Sequence, residues 1–236
     1  MTTATPAPAR VRLVPAAVAA AADIALLDDD ERARMAAFHR AEDRNLYALA
    51  HALLRRVLAD ATGRPAASLR FAAESQGRPF LLTADGGAAD IWRFSLSHCA
   101  AGVGVAVRRG ADVGIDVEDA ARLDDDLLPL ARQVATPEEA DVLAETPAAE
   151  RRAAFLRLWT RKEALLKGAG TGLLTDPRGI TAGCSPRAEP AILRHQGTDW
   201  TLIDLPCAWA AAAVALAGAG ATATMAEDRD RPLERA

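Results

Sequence analysis

Lysine is almost missing from this chain of 236 residues: of 28 basic side chains, 26 are arginine, and the two lysines, Lys162 and Lys167, stand five positions apart. Fifty-seven alanines accompany that preference, a joint bias that fits GC-rich coding. A lysine kept against such a background marks a position where arginine does not serve. Cysteine is scarce too. Cys99, Cys184 and Cys207 are odd in number, widely spaced and in no CxxC pair, which argues against a disulfide framework or a zinc site and for a reducing compartment. No apolar run reaches the roughly 18 residues of a membrane span. The leader-like stretch from Leu13 to Leu27 is interrupted by Pro15 and Asp23, so the chain reads as a soluble, cytoplasmic protein with no membrane partner. A net charge of -4 leaves no global field for nucleic acid. What remains is a globular composition, 50% hydrophobic and 25% charged, enough for one or two packed domains.

Charge is unevenly placed. Residues 116–150 hold eleven acids against two arginines, and 151–178 hold seven basic residues against two acids. That split suits a local anionic ligand or an acidic partner at the basic segment.

The periodicity is mixed α and β. Helices are expected over Asp28–Phe38, over Arg44–Leu58 up to Gly63, after the capping box Thr136-Pro137-Glu138-Glu139, and from Ala148 to Ala169. Strands are expected at Leu69–Ala72, Pro79–Leu82, Trp92–Leu96, Gly102–Val107 and Val113–Val117, and within Ile180–Leu216. An offset of 108 residues lays Cys99-Ala-Ala-Gly-Val-Gly over Cys207-Ala-Trp-Ala-Ala-Ala, and lays the helix before Gly63 over the one with both lysines. The chain therefore reads as α+β, two similar halves in a pseudo-two-fold arrangement with the active cleft between them. Its expected divisions are a tail at 1–10, an N-terminal half at 11–110, a C-terminal half at 111–222, and a second tail at 223–236.

Four groups of residues carry chemistry. On a strand Val113–Glu118, Asp116 and Glu118 share a face roughly 7 Å apart. They form either a solvated strand end or a site for a hard divalent cation with phosphate oxygens as further ligands. On the long helix Trp159, Glu163 and Lys167 share a face at four-residue spacing. This is either an exposed Glu163–Lys167 ion pair or a place where a compact ammonium meets phosphate. Ser95-Leu96-Ser97-His98 ends a strand, with no GxSxG to suggest a hydrolase. Gly77-Arg78-Pro79 is a tight turn that presents a guanidinium.

In this order, Gly77-Arg78-Pro79, Phe94-Ser-Leu-Ser-His98, Gly114-Ile-Asp116-Val-Glu118 and Trp159-x-x-Lys162-Glu163-Ala-x-x-Lys167 resemble the motif set of the 4′-phosphopantetheinyl transferases. The likeness is to the two-halved type that serves non-ribosomal peptide and polyketide synthases. It runs from about Arg32 to Leu216. The resemblance implies transfer of 4′-phosphopantetheine from coenzyme A to a serine of an apo acyl or peptidyl carrier protein, with release of adenosine 3′,5′-bisphosphate. It places Mg²⁺ on Asp116, Glu118 and Glu163 in the C-terminal half. It makes Asp116, Glu163 and Lys167 the catalytic group, with Lys162 a second phosphate contact. Arg78 and His98 would grip the phosphates at the 3′-phosphoadenosine end, and Pro79, Ser97 and Arg34 belong with the coenzyme too; Arg40 and Arg44 are further candidates. Glu163, a water on the cation, or Glu139 would act as base. Glu31 stands where the family often has a basic residue. Two other readings share these residues: a catalytically silent module that binds coenzyme A or a carrier, and a magnesium-dependent phosphohydrolase. An internally duplicated chain is expected to be a monomer.

Overall fold

The computed structural model describes residues 7–18, 21–75, 77–87, 90–119, 121, 123, 127–172, 175–184 and 189–225. Its first half runs β1 (Ala9–Pro15), α1 (Asp29–Ala36), α2 (Ala41–Thr62), β2 (Phe71–Ala73), β3 (Pro79–Leu81), β4 (Trp92–Cys99) and β5 (Gly102–Arg109). The second runs β6 (Val113–Glu118), α3 (Leu128–Val134), α4 (Pro137–Glu145), α5 (Ala148–Ala169), β7 (Ala191–His195), β8 (Thr198–Asp204), β9 (Ala211–Ala217) and β10 (Ala223–Met225).

Each half contains a short helix opened by a capping box. Asp28 and Glu31 exchange side-chain and backbone hydrogen bonds at the start of α1, and Thr136 and Glu139 do the same at α4. Each half then builds a 22-residue helix, α2 or α5. Both end on a left-handed glycine, Gly63 at φ 72° and Gly170 at φ 71°, a conformation that costs glycine no Cβ clash.

The strands form two four-stranded sheets, ordered β10-β1-β5-β4 and β6-β9-β8-β7, with β2 and β3 a separate hairpin. The sheets pack face to face through Val11, Ala106, Ile115, Val117 and Val214. Helix α2 covers the outer face of the first sheet, with Leu49, Leu53 and Leu58 on Phe94, Val103 and Val105. Helix α5 covers the second, with Phe155, Leu158 and Leu165 on Leu202, Ala213 and Ala215. The layers are thus helix, sheet, sheet, helix. Gly114 lets α5 lie on β6: a Cβ there would overlap the Ala164 carbonyl and the Gly168 amide.

Three expectations change. Ala9 and Arg10 belong to strand β1, and 223–225 form β10, which pairs with β1 in parallel (Ala9 with Ala223, Val11 with Met225). Each lies inside an expected tail; β1 is a strand because Ala9 and Val11 pack between the sheets. Residues 1–6 and 226–236 of those tails lie outside the described residues. Helix α3 forms in the acidic stretch before the Thr136 capping box, where no helix is among those expected, because Ala131 and Val134 pack into the α5 core. Among the described residues no helix is long and apolar enough to cross a membrane.

Candidate active site

β6 and β4 are each an edge strand of their sheets, and they meet across the two halves. The Ile115 amide donates to Ser95 Oγ at 3.1 Å and the Val117 amide to Ser97 Oγ at 3.3 Å. The two serines of the Ser-x-Ser segment therefore occupy amide donors on the β6 edge that would otherwise need water. Ser97 is buried, and its hydroxyl also donates to Asp116 Oδ1 at 2.9 Å and accepts from Lys167 Nζ at 2.9 Å. The Ser97 hydroxyl thus braces Asp116 and Lys167 from the first half.

Asp116 is buried at 3% exposure. Lys167 Nζ reaches its Oδ1 at 2.6 Å, and its Oδ2 is buried with no hydrogen-bond partner. Trp159 Nε1 donates to Glu118 Oε1 at 2.9 Å, so the tryptophan, glutamate and lysine of α5 do turn one face toward the β6 carboxylates. Burial pushes the Glu163 carboxyl up, the Asp116 charge adds to the rise, Lys167 pulls it back and Glu118 adds again. Three carboxylates that repel one another, one with an orphaned buried oxygen, suit a hard cation. They are not gathered as a metal cage: among the described residues no group of three or more His, Cys, Asp or Glu side chains stands ready to hold a metal ion. Trp159 and Lys167 hold two of the three apart.

A cavity of about 790 Å³ opens beside this network. One side comes from the first half, with Arg34, His51, Phe71, Arg78, Pro79 and Ser95, and the other from the second, with Leu166, Lys167, Gly170, Thr171 and Gly172. The cleft therefore lies between the halves. Arg78 ties them together through Asp112 at 2.9 Å and packs on Gly170. His98 is exposed at the end of β4 but stands outside the cavity lining. Desolvation lowers its pKa, and the Lys167 charge lowers it further, with a smaller contribution from His51. Arg44 donates to the Phe38 and His39 carbonyls, and Arg40 is exposed at the N-cap of α2.

Lys162 does not reach the cavity, contrary to its expected phosphate contact. It is 0% exposed. Its ammonium lies 2.6 Å from Glu139 Oε2 and donates to the Val134 and Pro177 carbonyls at 2.7 and 3.0 Å. Burial lowers its pKa while Glu139 draws it back up. Glu139 is equally committed. It accepts from the Thr136, Ala182 and Gly183 amides, which removes it as a base. The basic segment 151–178 is also more structural than its charge suggests: Arg151 caps carbonyls at the end of α4, Arg157 and Arg161 both bind Asp204, and Arg178 pairs with Asp176.

Sequence reasoning missed His51. It sits among apolar positions of α2, and the only available signal was a polar residue one turn before Arg55.

Comparison with known proteins shows the family. A family model described as 4′-phosphopantetheinyl transferase superfamily matches residues 112–217, and one described as 4′-phosphopantetheinyl transferase, N-terminal, matches 14–109. The 4′-phosphopantetheinyl transferase HetI of Nostoc sp. is 34% identical over 181 residues, covering 77% of this chain and 74% of HetI. The chain belongs to the 4′-phosphopantetheinyl transferase family. The 4′-phosphopantetheinyl transferase psf-1 of Bacillus pumilus is 29% identical over 163 residues, 69% of this chain and 66% of psf-1. As a phosphopantetheinyl transferase the protein is an enzyme. The two family matches meet at the join of β5 and β6, where Arg78 and Asp112 link the halves.

Proposed function

We propose that this transferase moves 4′-phosphopantetheine from coenzyme A to the serine of an apo acyl or peptidyl carrier protein and releases adenosine 3′,5′-bisphosphate. The observation that carries this reading is the junction of Asp116, Ser97 and Lys167, whose lysine lines a cavity that also presents Arg34 and Arg78. A cation-lined cleft of this volume suits a ligand with separated phosphates.

Asp116, Glu118 and Glu163 would hold Mg²⁺, the orphaned Oδ2 of Asp116 being an open donor. Bound there, the cation spreads the negative charge that develops on the pyrophosphate. Lys167 Nζ contacts the phosphates and assists departure of the bisphosphate as the carrier serine oxygen bonds to the β-phosphorus and the bridging P–O bond breaks. Glu163, its carboxyl raised by burial and by Asp116, is placed to accept the serine proton. Arg78, Pro79 and Arg34 line the coenzyme's route, and His98 flanks it at the end of β4. Ser97 holds Asp116 and Lys167 in register. We place the enzyme in the cytoplasm as a monomer, consistent with both walls of its cleft coming from one chain.

The test is incubation with coenzyme A, Mg²⁺ and an apo carrier protein, followed by mass spectrometry of the carrier. A gain of one phosphopantetheine is expected. An unchanged carrier with coenzyme bound would leave a silent binding module, and release of inorganic phosphate would indicate a phosphohydrolase.

A further inference from the structure

We propose that His51, oriented by Glu31, is a further substrate contact of this cavity, binding the ribose 3′-phosphate of coenzyme A through Nε2. The inference rests on the transfer reading above and names a residue for its second anionic group.

Glu31 divides its two oxygens between neighbours. Oε2 accepts from the Asp28 amide at 3.0 Å and from Arg55 Nε at 2.7 Å. Oε1 faces His51 Nδ1 at 3.0 Å. A carboxylate can only accept here, so Nδ1 carries the proton. The ring is fixed in its plane as well, because Tyr47 stacks on it with centroids 4.0 Å apart and planes 24° apart. The Tyr47 phenol is pushed up by burial and by the Glu31 charge and drawn down by Arg34, which places Arg34 against the same group. Two of the ring's freedoms are thus removed, and Nε2 is the polar atom left for a ligand. His51 is one-fifth exposed and lines the cavity together with Arg34, Arg78 and Lys167.

Glu31 meets the capping amide and Arg55 with Oε2, which leaves Oε1 to the imidazole. With Glu31 on the far side, the imidazole can take a second proton as an anion arrives and donate Nε2–H to it, the carboxylate offsetting the ring's charge. Coenzyme A offers two anionic groups. Lys167 lines the wall where the pyrophosphate would react, on α5, with Asp116 of β6 bonded behind it. Arg34 and His51 stand on α1 and α2 of the other half, and so suit the phosphate monoester, which carries close to two charges near neutrality.

Steady-state transfer from coenzyme A and from 3′-dephospho-coenzyme A tests this in wild type and His51→Leu, with calorimetric binding of adenosine 3′,5′-bisphosphate and AMP as a second readout that needs neither metal nor carrier. His51→Leu should raise the KM for coenzyme A by about tenfold at unchanged kcat and leave that for the dephospho substrate where it was, as expected for one charge-assisted hydrogen bond. Its affinity for the bisphosphate should fall by a similar factor and that for AMP should not. If both coenzymes, or both nucleotides, shift together, His51 is structural and the inference is overturned. If His51→Leu does not fold, His51→Gln, which keeps the length of the side chain but cannot become a cation, is held to the same ratios. Failure of wild type to use either coenzyme would instead overturn the transfer reading, so the two failures are distinguishable.

Discussion

The two halves of the molecule hold their long helices by the same device and differ where those helices face the cleft. In the first half the capping-box Glu31 binds Arg55, a 0% exposed cation on α2 that also donates to the Ala66 and Leu69 carbonyls. In the second, the capping-box Glu139 binds Lys162, a 0% exposed cation on α5 that donates to the Val134 and Pro177 carbonyls. Arg55 also reaches Asp28 at 2.6 Å. Threonine takes that capping position in the second half, and three partners remain for the three N–H groups of an ammonium. Lysine at 162 is therefore explained by a count of partners, without phosphate.

Sheet register extends the comparison to the site. Arg12 pairs with Val105 and Val14 with Val103 in one half, as Asp116 pairs with Ala213 and Glu118 with Ala211 in the other. Aligning α2 with α5 by their terminal glycines sets Ala52, Arg56 and Asp60 against Trp159, Glu163 and Lys167. One copy thus has arginine where the other has the buried aspartate, and aspartate where the other has lysine. The ion pairs that anchor the helices are kept in both copies, and the cluster of Asp116, Glu118, Glu163 and Lys167 is confined to the second.

If the anchors are equivalent, removing either cation should be the costliest change to stability. Lys162→Met and Arg55→Met should each destabilise by about 3–5 kcal/mol, since each leaves a buried carboxylate without its partner. Denaturant unfolding measures this, and a large cost in one half only would break the equivalence. For Asp116→Asn, transfer should fall by about 10²–10³-fold while the protein still unfolds cooperatively, the size expected for loss of one preorganised electrostatic group. Lys167→Arg keeps the charge but not the compact ammonium that fits between Asp116 and Ser97. A loss of about tenfold in kcat, with unchanged stability, should follow. A harmless swap would show that position to be a plain ion pair.

The smallest effect concerns acid. Burial would raise the Glu31 carboxyl, but hydrogen bonds from His51, Arg55 and the Asp28 amide outweigh it and hold the group below its ordinary 4.5. A depressed folded pKa means its stabilising contribution is present above that value and is lost as pH falls through the folded one. Glu31→Gln should remove this share of the stability change between neutral pH and acid, visible as a flatter acid limb in unfolding titrations.

Much of this was legible in the residues. The 148–169 helix, the Thr136 box and strands β4 to β6 follow their patterns, because capping signals and alternation are local. The face shared by Trp159, Glu163 and Lys167 was legible from helical spacing, and its partner carboxylates from strand phase. Lys162 was misread because α3, α4 and the Pro177 loop bury the face of α5 that carries it, and no local pattern states which neighbour a face meets. Strand β1 was hidden because Leu13 begins an apolar run that obscures its alternation. His51 depended on Glu31, twenty residues away, which read as a departure from a basic position and proved to be a structural acceptor.

The asymmetry of the halves can be tested with one replacement at two matched positions. The carrier's mass after incubation with coenzyme A, Mg²⁺ and folded Glu163→Gln or Arg56→Gln enzyme is the measurement. The account predicts an unmodified carrier with Glu163→Gln and a carrier bearing one phosphopantetheine with Arg56→Gln. Full modification by Glu163→Gln, or none by Arg56→Gln, would contradict it.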